Sequence, residues 1–250
     1  MDSTNTMNRL LEAFKPTLQD FMASPAIAAL ATGEMTVDEY RSITRELYHQ
    51  VRETPQLFAM ATTTFKGRQR DLVKMVLSHS LSEVGHEQLA LNDYVTLGGD
   101  GERIPYETPL PTTTALFGYW RYQMTNLRPM GFLGYVFFLE FLPTHAGNGM
   151  KDMLMRIGVP EAAVTFLAEH NEADVHHNRL MEKYAEGLIV NEADFAAVVY
   201  GMQTTGRLYA QMLQAAREDV QRPFARGWNW FELEADGLTP ESLGAKRKVA

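Results

Sequence analysis

The chain has 250 residues, enough for one large domain with a sizeable buried core or for two small ones. Hydrophobic residues make up 45% and charged residues 22%, ordinary for a globular protein, and 31 acidic against 23 basic side chains give a formal net charge of -8. That balance, with no basic block, argues against nucleic acid and anionic membranes as partners, and the lack of cysteine excludes disulfides, zinc–thiolate sites, iron–sulfur clusters and thiol nucleophiles.

A reducing cytoplasm fits a chain without cysteine. The opening MDSTNTMNRLLEAF lacks the basic region and apolar core of a signal peptide. The longest apolar run, GFLGYVFFLEFL, is too short to span a bilayer and contains Glu140. A soluble, cytoplasmic protein is expected.

Residues 7–22 predict a first helical segment and 25–30 a short second one. Thr36, followed three residues later by Glu39, is a capping box. It opens a helix that runs to about residue 54, where Pro55 restricts the residue before it. Residues 56–65 read as helix again, up to Gly67. From 68 to 97 the residues Leu72, Met75, Val76, Leu77, Leu81, Leu89 and Leu91 recur at helical spacing, and Gly98 and Gly99 end this long helix. GGDGERIPYETPLPTT is a loop. One helix follows at about 112–126. Another starts near 129 and carries the apolar run to Glu140, with interruptions expected at Gly147 and Gly149.

Pro160 suits the first position of a helix reaching Gly187, and Asn191 with Asp194 caps another that runs to about residue 220. No β-alternation and no GxGxxG motif appears. The expectation is one all-α domain over residues 1–221, a bundle of about seven to nine helices. A partly ordered tail, 222–250, follows, its first half pinned by Trp228, Trp230 and Phe231.

Three local patterns carry chemistry. The run H-N-E-A-D-V-H-H places His170, Asp174 and His177 at i, i+4 and i+7, on one face of a helix. Two imidazoles and a carboxylate on one face form a transition-metal ligand set, although the same residues can make a solvated stripe. Glu83 and His86 form a Glu-x-x-His pair, the unit by which two-iron bundles supply a carboxylate and an imidazole from one helix. Asp174 and His177 repeat that spacing. Glu140 sits among Phe137, Phe138, Leu139, Phe141 and Leu142, and a buried carboxylate there needs a cation, a metal or a shared proton.

Together Glu83, His86, Glu140, His170, Asp174 and His177 supply three imidazoles and three carboxylates, which suits two divalent first-row metals. Mixed nitrogen and oxygen ligation with open positions favours iron, two Fe(II) per chain, while manganese fits the same donors. His79, Glu87 and His145 are candidates to hold those ligands in place from behind by hydrogen bonds.

This order of motifs resembles the haem-oxygenase-like di-iron oxidases and oxygenases: Glu-x-x-His, then a lone Glu in a central helix, then His-x-x-x-Asp-x-x-His. It is similar to the branch typified by the terminal-alkene-forming fatty-acid decarboxylase. The resemblance covers most of the chain except the tail. It implies a compact haem-oxygenase-like (TenA-like) bundle without haem, with metal ligands at the six positions named above. It also implies activation of dioxygen through a peroxo-di-iron intermediate, to oxidise a fatty acid, an amine or an amino-acid derivative. Oxidative decarboxylation, N-oxygenation and C–C cleavage all occur in the family, and the fold does not choose among them.

The partners so implied are a small-molecule substrate, dioxygen and an electron donor to restore Fe(II), and the size is compatible with a homodimer. This chain shows no positively charged clamp for a carboxylate in the mid-chain ligand run; Arg121, Arg128 and Arg179 are available but unplaced. Two alternatives remain open at this point. One is an iron-storing or iron-buffering helical protein, drawing a further carboxylate from Glu46 or Glu53. The other is a metal-free or haem-binding protein on the same scaffold, with His49 as a haem ligand.

Overall fold

The computed structural model describes residues 3–172 and 174–221, without side chains at 3–5, 68, 147–148, 169–172 and 174–178. The tail with Trp228, Trp230 and Phe231 lies outside the described residues. Every regular α element among the described residues is a helix: α1 (Ser3–Met22), α2 (Pro25–Thr32), α3 (Val37–Thr62), α4 (Val73–Ser82), α5 (Glu87–Thr96), α6 (Pro111–Asn126), α7 (Leu133–Arg156), α8 (Thr165–Glu172), α9 (Asp174–Leu188) and α10 (Glu192–Glu218). The helix predicted over 68–97 is broken into α4 and α5, the two predicted on either side of Pro55 are one, and the helix predicted over 160–187 is described on either side of residue 173 as α8 and α9.

Local signals set several helix starts. The Thr36 hydroxyl accepts from the Glu39 N–H and the Glu39 carboxylate accepts from the Thr36 N–H, the predicted capping box. The Asn191 side chain accepts from the Asp194 N–H at the start of α10. At Pro55 the prediction fails. The helix does not end at residue 54 but continues through the proline to Thr62. A proline inside a helix costs about 3 kcal/mol. Leu57, Phe58 and Ala61 extend the buried face beyond it, and full burial of a Leu or Phe contributes about 1.5–3 kcal/mol each. Packing therefore outweighs the break. Likewise α7 runs without interruption past Pro143 and the two glycines expected to stop it.

The bundle is organised around α10, which packs against α7, α1, α3 and α6, while α3 also carries α4 and α5. The α7–α10 contact is backbone to backbone. A Cβ on Gly134 would lie 2.2 Å from the Met202 nitrogen and 2.3 Å from the Val198 carbonyl. A Cβ on Gly201 would lie 2.2 Å from the Gly131 carbonyl. Neither neighbour is a side chain that can rotate away.

A cavity of about 1180 Å³, including its open mouth, lies between α2, α3, α7, α8 and α10. One face of α3 runs along it: Tyr40, Ile43, Leu47, Gln50, Val51, Thr54 and Phe58 recur at helical spacing. Glu83 and Glu140 also line this cavity.

Gly134→Ala is expected to destabilise the fold toward the upper end of the about 1–3 kcal/mol typical of overpacking. Thermal unfolding followed by circular dichroism should show a midpoint lowered by roughly 2–4 °C per kcal/mol. An unchanged midpoint would mean that α7 and α10 separate without cost.

Candidate metal centre

The site begins where α4 ends. His79 and Glu83 are one helical turn apart, so their side chains share a face. The expected helix over 68–97 is not continuous. A 3-10 turn (Gly67–Leu72) precedes α4, and a tight turn over 83–86 separates α4 from α5. Gly85 has φ 103° there, a conformation that side-chain-bearing residues resist. The Glu-x-x-His pair therefore straddles a helix break. Glu87, a candidate to support the ligands, instead accepts the Gly85 N–H at 2.9 Å and holds the turn.

Glu140 reaches this point from α7. His79 Nε2 lies 3.3 Å from Glu83 Oε1 and 3.3 Å from Glu140 Oε1. One donor atom from each of the three falls within 4.8 Å of the others. His86 Nδ1 lies 3.0 Å from the second oxygen of Glu83, with its ring about one-third exposed (33%). His79, read from sequence as a supporting residue, stands between the two carboxylates, and His86 stands at the outer edge. The available signal was the i, i+4 spacing of His79 and Glu83.

The other face of His79 is held as well. Its Nδ1 is 3.0 Å from the Tyr184 hydroxyl of α9, and its ring centroid is 4.5 Å from that of Phe58. Burial is the largest single influence on the His79 imidazolium and works to lower its pKa. The hydrogen bonds and charges of Glu140 and Glu83 together outweigh it, and the pKa is pushed up to about 9. For Glu83, burial pushes the carboxyl up, but the bonds and charges of His79 and His86 hold it well below the usual carboxylate range. Tyr184 is raised by burial first and then by the two carboxylates, so it keeps its proton.

Two carboxylates against one imidazole leave an excess of negative charge among apolar walls, and no Lys or Arg is among the described residues lining the cavity. Buried charge without a counter-charge is costly, so a bound cation fits this donor set.

The remaining candidates divide. His170 belongs to α8, and Asp174 and His177 to α9, but their side chains lie outside the described residues. His145 stays with its own helix, with Nδ1 2.8 Å from the Phe141 carbonyl and 2.8 Å from the Thr144 hydroxyl, and does not join the cluster. His49 is buried 3.9 Å from Glu107, which is ion-paired with Arg45, so it sits in a staple between α3 and the loop before α6 rather than facing a haem-sized space. Glu46 caps α6, accepting the Leu110 N–H at 3.0 Å and the Thr113 hydroxyl at 2.5 Å. Glu53 pairs with Arg121 at 2.6 Å. Neither supplies the extra carboxylate that the storage alternative needs.

Sequence reasoning also missed Asp93. It accepts the N–H groups of Thr165 and Phe166 at 3.0 Å each and the Thr165 hydroxyl at 2.6 Å, starting α8. This is why Pro160 does not begin the helix. A 3-10 turn (Glu161–Ala163) intervenes, and α8 starts where Asp93 can satisfy its free N–H groups.

The sequence profile of the iron-containing redox enzymes matches residues 41–210, from α3 to α10. The chain belongs to that family. A solved structure from Shewanella denitrificans, a domain of unknown function with a heme oxygenase-like fold, aligns with TM-score 0.77 at 21% identity, covering 94% of this chain and 97% of that one. That likeness shows the fold: an all-helical, heme oxygenase-like bundle. No curated protein matches the chain in sequence. All six predicted ligands and His79 lie within the matched residues, and the iron in the family's description agrees with the charge of the His79 cluster.

Two outcomes follow for this member of the iron-containing redox enzymes. Tyr184→Phe frees the His79 ring and should weaken iron binding by about 10- to 100-fold in a chelator competition; an unchanged affinity would remove Tyr184 from the site. Asp93→Ala should cost about 1–2 kcal/mol in a urea titration, as loss of an N-terminal cap does. It should also reduce iron content if α8 carries a ligand, and full stability would contradict the capping role.

Proposed function

We propose that the chain is an oxygen-dependent, non-haem oxidoreductase that holds two iron ions and oxidises a small, largely apolar substrate. The observation that carries this reading is the buried His79–Glu83–Glu140 cluster, two carboxylates to one imidazole, opening onto an apolar cavity with no Lys or Arg among its described lining residues. Glu83, Glu140 and His79 would hold metal from α4 and α7, His86 from the turn after α4, and His170, Asp174 and His177 from α8 and α9. When bound, the iron supplies the redox chemistry with dioxygen that no side chain here can perform.

The chain's own residues have distinct tasks. The Tyr184 hydroxyl oxygen accepts the Nδ1 proton of His79 in the metal-binding tautomer and leaves Nε2 as the donor. Phe58 fixes the ring plane. Val136, Leu139, Phe166 and Leu167 wall the cavity beside the carboxylates and keep bulk water from the reacting atoms. Turnover would draw on an external electron donor. The storage alternative loses support because Glu46 and Glu53 are engaged elsewhere, while an apolar cavity beside the cluster serves a substrate.

Anaerobic titration with Fe(II), followed by oxygen uptake against a panel of apolar substrates, tests this reading. About two irons per chain and uptake that depends on one substrate are expected. Glu140→Gln should lower iron content and abolish that uptake. Iron bound and oxidised at the same rate with or without any substrate would favour storage; manganese activity without iron activity would change the metal.

A further inference from the structure

The cavity that receives the carboxylates contains a second polar group that the metal reading does not use. Gln50 Nε2 donates to the Tyr135 hydroxyl at 2.8 Å, and the Thr54 and Tyr135 hydroxyls are 2.8 Å apart. All three side chains line the cavity, and all are more than nine-tenths buried. They are uncharged, and burial holds the Tyr135 phenol far above its ordinary pKa, so the trio stays neutral. Further along the same wall, Tyr40 and Tyr209 add only hydroxyls.

Among the described residues lining the cavity there is no Lys or Arg to pair with an anionic guest. Arg121 is paired with Glu53, Arg128 with Asp194, and Arg179 is exposed; none of them lines the cavity. From Tyr40 to Thr54 the cavity follows α3 for an axial rise of about 21 Å, which suits an elongated body.

We propose that the cavity takes an elongated apolar substrate whose polar group is uncharged, an alcohol, aldehyde or amide, held by Gln50, Thr54 and Tyr135 beside the iron ligands rather than by a basic side chain or by the metal. The inference rests on the oxidase reading only for what lies next to the trio. A hydroxyl both donates and accepts, as the trio does: the Tyr135 and Thr54 hydroxyls can turn to give a hydrogen bond, and the Gln50 carbonyl can receive one. A carboxylate head would add negative charge beside Glu83 and Glu140, which already share His79, with no Lys or Arg among the described lining residues to pair with it. The trio is therefore a specificity determinant and a positioning group. It sets which end of the substrate meets the metal side, and the apolar run along α3 receives the rest.

Isothermal titration of the full chain, loaded with Fe(II) under argon, with octan-1-ol, octanoate and octylammonium tests this. Octan-1-ol should bind at least about tenfold tighter than either ion, the equivalent of one well-made buried hydrogen bond. Gln50→Leu with Tyr135→Phe should bring the three affinities together, because general damage lowers all three alike whereas loss of the trio removes only the preference; Thr54→Val replaces the second change if that pair does not fold. Ile43→Trp, which fills the apolar run, should abolish binding of all three. Octanoate or octylammonium binding as tightly as the alcohol, an unchanged preference in the variants, or no binding of any probe would each overturn the inference. Iron stoichiometry and oxygen uptake on the same preparation report separately on the oxidase reading, so either can fail while the other stands.

Discussion

Two glutamates and a histidine meet where water is scarce, and much of the surrounding structure serves to keep them there. Glu83 and Glu140 come from different helices, and their carboxylates converge on one imidazole with donor atoms inside 4.8 Å. Buried like charges repel strongly, so such an arrangement persists only with a proton or a metal between them. In the metal-free chain burial works to lower the His79 pKa, but Glu140 and Glu83 outweigh it and raise the pKa, so the imidazole is the group that takes the proton. With a cation bound, the same geometry becomes a ligand set. The family's iron is the chemically natural occupant.

The supports of this cluster follow from neighbouring helices. Tyr184 and Phe58 hold His79 from α9 and α3. The last turn of α4 sets Glu83 beside His79, and the break at Gly85 follows it, with His86 at the rim. Contact of α7 and α10 through Gly134 and Gly201 sets the distance at which Glu140 arrives. Asp93 starts α8, whose residues Phe166 and Leu167 wall the cavity. None of these residues is a predicted metal ligand, yet each restricts where one can be.

Helix α3 shows how one element divides its labour by face. Its cavity face carries Ile43, Leu47, Val51 and Phe58 as apolar groups and Gln50 and Thr54 as polar ones. Its other buried groups hold loops and helix ends: Arg45 pairs with Glu107, Glu46 caps α6, and Arg52 donates to the Pro105 carbonyl. Buried acids and bases on this helix resemble ligands in sequence, but their hydrogen bonds assign them to architecture.

Much was legible in the sequence because helix periodicity and caps act locally. The all-helical class, the Thr36 box, the Asn191 cap and the position of Glu140 in an apolar run follow from residues a few places apart. The motifs that carry the resemblance were readable for the same reason, as the spacing within each is local. What a residue pairs with across the chain is not local. His79 rather than His86 stands between the carboxylates because α7 arrives on that side of α4. Helix α3 passes Pro55 because Leu57 and Phe58 find a core beyond it. Pro160 yields to Asp93, a partner 72 residues from Thr165. By itself the sequence determined the helical class and the residue types available for iron; only the tertiary structure decided which of them meet, because charge pairing and burial depend on distances in space, not on spacing along the chain.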